Sequence, residues 1–239
     1  MTTELGYWEL KMNDIKLVIF DCDGVLVDSE ILGIRIEVDL LRRAGCDIST
    51  DSLTERFCGM SWKEILLVLE RENDLPLLDA LLDKTETILD ERLPREVKAI
   101  PGVRGLLEEL PFPRCVCSNT KMPRLDAMLA KVGLKEFFGE NIFSAKDLGE
   151  GRSKPKPDIF LHGAERMGFA PSATVVVEDS VHGVQAARSA GMRVIGFTGG
   201  SHTFYAHSGN LLSAGALTTT SRMGDLTSIL ADIGAGEVA

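Results

Sequence analysis

No run of apolar residues in this 239-residue chain is long enough to cross a bilayer, which argues against a helical membrane span. Positive charge is also in short supply. With 26 Lys and Arg against 36 Asp and Glu, the net charge is -10, and neither nucleic acid nor an anionic membrane surface is expected as a partner. The opening stretch MTTELGYWELKMND carries acids where an export signal has a basic and then an apolar run, so a cytoplasmic location is expected. Cysteines number five, and Cys115 and Cys117 stand too close along one strand-like run for an easy disulfide. With no second pair to complete a zinc site, all five are expected to be buried, unreactive thiols. There are only four histidines, and His202 and His207 sit in a Gly- and Ser-containing segment that matches no ligand spacing. The chain has no internal repeat or low-complexity tract, and nothing in it indicates an oligomeric state.

What the chain does contain is a set of short apolar runs that end abruptly in polar residues. Leu17 to Ser29 reads LVIFDCDGVLVDS: a strand-forming run stops at Asp21 and Asp23, and Gly24 follows for a sharp turn. Acids at the carboxyl end of a buried parallel strand face a crevice, and two like charges so close need a divalent cation or a shared proton. Taken alone, the spacing also fits acids that cap a helix or face solvent. Three further segments carry complementary chemistry. Arg114 to Thr120, RCVCSNT, ends in Ser118 and Asn119, which can donate to phosphate oxygens or serve as turn residues. In SKPKPDIF, two prolines stiffen the backbone around Lys154, a cation suited to holding an anion, and Asp158 is placed to cap a helix. The run ATVVVEDSVHG places a second acidic pair, Glu178 and Asp179, at another strand end.

In that order, DxDGxxxDS, SN, SKPxPD and EDSxxG, the four segments resemble the haloacid dehalogenase superfamily of aspartate-dependent phosphotransferases. The form of the last two motifs is closest to the subgroup that includes β-phosphoglucomutase and small-molecule phosphatases. The resemblance implies that Asp21 is the nucleophile that accepts the phosphoryl group, and that Asp23 is the general acid and base. It implies Mg²⁺ as cofactor, held by Asp21, the Asp23 carbonyl and Asp179, with Glu178 a ligand through water or an orienting residue. Ser118, Asn119 and Lys154 would contact the phosphoryl group, with backbone N–H groups around Cys22 to Gly24 adding donors. The implied activity is hydrolysis of a small phosphorylated metabolite such as a sugar phosphate, a sugar-acid phosphate or phosphoglycolate. A phosphosugar mutase is the alternative, and a non-catalytic binding protein is a third reading. The mutase's cap arginine corresponds to Trp62 and the histidine of its first cap helix to Gly33, and both departures favour hydrolysis.

Apolar residues recur at three- and four-residue spacing over Ile31–Arg43, Leu53–Phe57, Trp62–Asn73 and Leu77–Leu93, predicting four consecutive helices that Pro94 stops. Alternating strands and helices then resume, with helices predicted over Val103–Leu110, Pro123–Val132, Asp158–Gly168 and Val181–Ala190, and a strand over Met192–Phe197. The predicted fold is a doubly wound parallel α/β core, residues 1–28 and 95–239, interrupted by a helical cap, residues 29–94. Hinges fall near Asp28 and Pro94. Within the cap, the turn Gly59 to Lys63 places Trp62 and Lys63 as candidates to reach the substrate, although a tryptophan at helical spacing also fits packing between helices. The segment from Gly199 onward carries little pattern until a final helix predicted over Asp225–Ile233, ended by Gly234.

Overall fold

A computed structural model describes residues 15–57 and 60–236. The expectations attached to the first fourteen residues and to Gly59 lie outside the described residues. Among the described residues six strands form one all-parallel sheet: β1 (Leu17–Phe20), β2 (Arg114–Ser118), β3 (Ile142–Ser144), β4 (Thr174–Glu178), β5 (Arg193–Phe197) and β6 (Thr218–Thr220), in spatial order β3-β2-β1-β4-β5-β6. A parallel sheet covered on both faces needs apolar residues at every position, which is why these strands read as continuous runs. Along β1, Val18 and Phe20 enter one apolar cluster while Leu17 and Ile19 enter the other.

The first cluster takes in α5 (Val103–Glu109), α6 (Met122–Lys131) and α10 (Leu226–Gly234); the second takes in α7 (Asp158–Met167), α8 (Val181–Ser189) and α9 (His207–Ala214). Helices on both faces define the doubly wound α/β arrangement expected from the sequence. The order β3-β2-β1-β4 places β1 at the centre with its carboxyl end beside that of β4, so Asp21 and the Glu178–Asp179 pair meet there. Strand order reverses at that point, where such sheets place their ligand crevice.

Between β1 and β2 the chain forms α1 (Glu30–Arg43), α2 (Thr50–Arg56), α3 (Trp62–Asn73) and α4 (Leu77–Glu96). Ser49 caps α2, and Ser61 with Glu64 forms a reciprocal capping box on α3. The chain enters and leaves this four-helix unit as a pair: Asp28 N–H donates to the Lys98 carbonyl at 2.9 Å and Ile100 N–H to the Leu26 carbonyl at 3.0 Å.

Two expectations need correction, and one strand had not been expected. Pro94 does not stop α4, which continues through it to Glu96. A proline there forfeits one helical bond, but the last turn is held by Val97 N–H on the Leu93 carbonyl at 3.0 Å and by the two-pronged Arg92–Glu96 pair. The segment after Gly199 is more ordered than its composition suggests, containing α9 and the edge strand β6. Strand β3, three residues long, carries too little pattern to be seen without its partner β2. Among the described residues no helix is long and apolar enough to cross a membrane.

Candidate active site

The β1 strand delivers Asp21 to the sheet's edge, where its N–H is held by the Val177 carbonyl at 3.0 Å. Leu26 and Val27 N–H groups then fold back onto the Cys22 carbonyl at 2.9 and 3.0 Å, so Asp21 and Asp23 leave a tight turn in different directions. Gly24 is required here twice. It adopts a left-handed φ of 73°, and a Cβ on it would stand 1.7 Å from Asp179 Oδ2.

Lys154 Nζ reaches between two acids. It donates to Asp21 Oδ1 and, at 2.8 Å, to Glu178 Oε1, with all three side chains buried. Burial alone would lower the lysine's pKa, but the Asp21 and Glu178 carboxylates outweigh it and raise the value. The other Glu178 oxygen accepts from Ser180 N–H at 2.8 Å and Ser180 Oγ at 3.2 Å. Asn119 fixes the lysine's backbone, accepting from Lys154 N–H at 2.9 Å and donating to the Lys154 carbonyl at 3.4 Å. It therefore positions the lysine rather than only meeting the cavity.

Asp23 sits in a different network. Its Oδ1 accepts from Ser29 Oγ at 2.6 Å, and its Oδ2 from Thr120 Oγ1 at 2.8 Å and Ser118 Oγ at 3.2 Å. One aspartate is thus paired with a cation and its neighbour is ringed by hydroxyls. Separate surroundings for two adjacent carboxyls suit separate roles.

Carboxylate oxygens of Asp21, Glu178 and Asp179 all lie within 4.8 Å of one another. Burial, offset in part by Lys154 and reinforced by the neighbouring acids, raises the Asp21 pKa well above the ordinary carboxyl range. Burial, then Glu178, does the same to Asp179. Hard oxygen donors this close, with one lysine among them, fit a divalent cation.

Asp21, Asp23, Ser118, Asn119, Lys154, Glu178 and Asp179 all line one cavity of about 250 Å³, together with residues contributed by α1, α4 and α6. Other sequence candidates lie elsewhere. The Cys22 side chain points into the apolar core, and burial, with Asp23 and Asp21, pushes its thiol pKa up. The Gly24 N–H, expected as a donor to the phosphoryl group, is taken by the Val27 carbonyl at 2.8 Å. Trp62 packs half-buried against the apolar core and Lys63 is exposed; neither lines the cavity. Conversely, sequence reasoning missed Thr120, although it directly follows Ser118 and Asn119, and it missed both histidines beside Asp179. His202 Nε2 lies 3.2 Å from Asp179 Oδ2, and His207 Nε2 lies 2.6 Å from the Asp179 carbonyl. A proton on His207 Nε2 satisfies that bond, and its Nδ1 lies 3.2 Å from Thr203 Oγ1, which donates to the Thr198 carbonyl at 3.0 Å.

Buried acids gathered around one lysine at the carboxyl ends of parallel strands are chemically suited to phosphoryl transfer, and the comparisons with known proteins bear on the same question. The family model for haloacid dehalogenase-like hydrolases matches residues 18–197. A 6-phosphogluconate phosphatase from Escherichia coli K12 is 31% identical over 80% of this chain and 86% of its own. A phosphorylated carbohydrates phosphatase from Thermotoga maritima is 32% identical over 76% of this chain and 84% of its own. The crystal structure of a conserved haloacid dehalogenase-like protein of unknown function from Agrobacterium tumefaciens C58 is 57% identical and superposes with a TM-score of 0.88, covering 92% of this chain and 99% of that one. The chain belongs to the haloacid dehalogenase-like hydrolase family. It is an enzyme of the phosphoric monoester hydrolase class.

Proposed function

We propose that the protein is a Mg²⁺-dependent phosphatase of small phosphorylated metabolites that works through an aspartyl-phosphate on Asp21. The observation that carries this reading is the convergence in one cavity of a lysine-paired Asp21, a hydroxyl-ringed Asp23 and the acidic pair of β4. Asp21, Asp179 and the Asp23 carbonyl would hold the cation. Glu178, both of whose oxygens already have partners, would orient the site rather than bind first. When bound, such a cation neutralises the acids and the charge on the phosphoryl oxygens.

The remaining work falls to the chain itself. An Asp21 oxygen attacks phosphorus, the bond from phosphorus to the ester oxygen breaks, and Asp23 gives its proton to the departing oxygen. In the second half Asp23 takes a proton from water, the hydroxide attacks phosphorus, and Asp21 is released with inorganic phosphate. Lys154 and Ser118 hold phosphoryl oxygens in place, and little else is required of the protein because positioning and charge neutralisation dominate such transfers.

Residues 29–94 act in this reading as a cap, with residues 1–28 and 95–239 as the core, and the hydrogen-bonded backbone segments around Asp28 and Lys98 as the connection between them. The substrate is a small phosphorylated metabolite, with sugar phosphates, sugar-acid phosphates and phosphoglycolate as the candidates to be compared, in line with the names of the phosphatase relatives. Hydrolysis rather than phosphosugar mutation is favoured because Gly33, with no side chain to grip a second group, forms part of the cavity wall. The reading includes a cytoplasmic location, supported by four buried free thiols, Cys22, Cys46, Cys115 and Cys117.

Phosphate release from a panel of small phosphate esters, with Mg²⁺ and then with chelator, tests the activity. Beryllium fluoride should modify the wild type and leave Asp21→Asn unmodified and inactive. Full turnover by Asp21→Asn would remove Asp21 from its role.

A further inference from the structure

We infer that the leaving group this cavity selects is an uncharged polyhydroxylated chain or ring, and that a substrate with a second anionic group at its far end is turned over poorly. This rests on the phosphatase reading and deepens it. Beyond the phosphoryl-binding residues, α1 presents one stripe to the cavity, Glu30, Gly33, Ile34 and Glu37, opposite Leu89 and Leu93 of α4. Two of these side chains are carboxyls and none is a cation.

Apart from Lys154, which Asp21 and Glu178 already occupy, the cavity wall contains one cation among the described residues, Arg124 of α6. Its charge is already engaged. Arg124 Nε donates to Asp90 Oδ1 at 2.7 Å and Nη2 to Glu86 Oε2 at 2.9 Å, and Lys121 Nζ approaches the same two acids at 3.3 and 2.9 Å. Among the described residues, the far half of the chamber therefore offers an incoming anion two carboxyls and an arginine whose Nε and Nη2 are held by Asp90 and Glu86. Its own acids register the same field. Glu37 is pushed up to about 8, first by removal from water and then by Glu30 and Glu86. A substrate carboxylate placed there meets the same penalty, whereas hydroxyls can donate to carboxyl oxygens in either protonation state.

The size of the chamber agrees. At about 250 Å³ it falls below the roughly 300–1,000 Å³ of drug-sized ligand sites, which suits a short carbon chain.

A matched pair isolates the effect: sorbitol 6-phosphate ends in a hydroxymethyl group where 6-phosphogluconate ends in a carboxylate. With Mg²⁺ present and acetyl phosphate as a substrate lacking the polyol tail, kcat/KM for sorbitol 6-phosphate should exceed that for 6-phosphogluconate by about tenfold or more, equivalent to about 1.4 kcal/mol. Assayed above about pH 8, where Glu37 is ionised, the Glu37→Gln variant should narrow that ratio, mainly through KM for the anionic substrate. Equal or preferred turnover of 6-phosphogluconate overturns the inference, most directly if Arg124→Gln then abolishes the preference, because that would show the arginine leaving Glu86 and Asp90 to bind the carboxylate. Hydrolysis of acetyl phosphate alone also overturns it while leaving the phosphatase reading intact. No phosphate release from any of the three overturns both.

Discussion

Asp21 and Asp23 are one residue apart, yet they occupy opposite electrostatic conditions: a buried ammonium beside the first, three hydroxyl donors around the second. The β1 tip separates them by turning the chain at Gly24, and any side chain at that position would collide with Asp179. Glu37 offers a residue-level test away from the catalytic acids. Its carboxyl is raised from an ordinary 4.5 to about 8, so the folded state retains a proton that the unfolded chain has lost between those values. Stability contributed by the neutral group is fully present below about pH 4.5 and declines as pH rises through about 8. Replacing Glu37 with Gln removes this titration. Urea midpoints of Glu37→Gln and wild type should therefore diverge in favour of the variant as pH is raised from 5 to 8, and parallel midpoints would show that the residue ionises normally.

At the level of elements, α1 and the α4–α6 seam shape what the β1 tip can act on. Helix α1 carries Gly33 on its cavity face, a residue that weakens a helix interior relative to alanine. An added Cβ there would meet only Leu89 Cδ2 at 3.9 Å, an ordinary contact. Gly33→Ala should thus stabilise the protein by about 0.5–1 kcal/mol while narrowing the cavity, raising KM for a hexose-sized substrate more than for acetyl phosphate. Chemical unfolding and paired kinetics check both halves; a lower stability would mean that α1 cannot accept the methyl group without shifting against α4. Across the seam, Arg124 is nearly inaccessible while Glu86 and Asp90 remain about two-fifths exposed, so the core presents a sheltered cation to acids on the four-helix unit. These side-chain partners are separated by 34 and 38 positions in sequence, a distance over which no helical pattern speaks.

For the molecule as a whole, folding assembles acids that repel one another, and a cation that binds only the folded state must stabilise it. Addition of Mg²⁺ at about 100 times its Kd should add about 2.7 kcal/mol, visible as a rise in Tm that chelator reverses together with activity. The two β4 acids should respond differently. Asp179→Asn should abolish the Mg²⁺-induced rise. Glu178→Gln should lower the starting Tm, because it disturbs the buried bond to Lys154, yet keep most of the rise. A Mg²⁺-dependent rise that survives Asp179→Asn and disappears in Glu178→Gln would reverse the assignment of the two acids.

The apolar runs of β1, β2, β4 and β5 were legible in the sequence because a strand buried on both faces must be apolar at every position, whichever strand it pairs with. The acids and Ser118 were legible for a related reason: each sits at the end of its own run, and parallel strands bring their carboxyl ends to one edge. Pairing, by contrast, has no local signature. The three-residue strands β3 and β6 exist through their neighbours β2 and β5, and His202 and His207 reach Asp179 only once the segment after β5 folds back over the sheet's edge. Trp62 was equally suited by spacing to packing or to facing the cavity, and the arrangement of the four helices turned it to the core. Pro94 carries a strong local stop signal, which the bonds of the following turn override. Local chemistry and periodicity thus determined the four central strands, most of the helices and the acids at the strand tips. Which charges meet across the crevice, and so what leaving group it admits, depended on contacts between segments distant in the chain, where Coulomb and packing energies act through space rather than along the backbone.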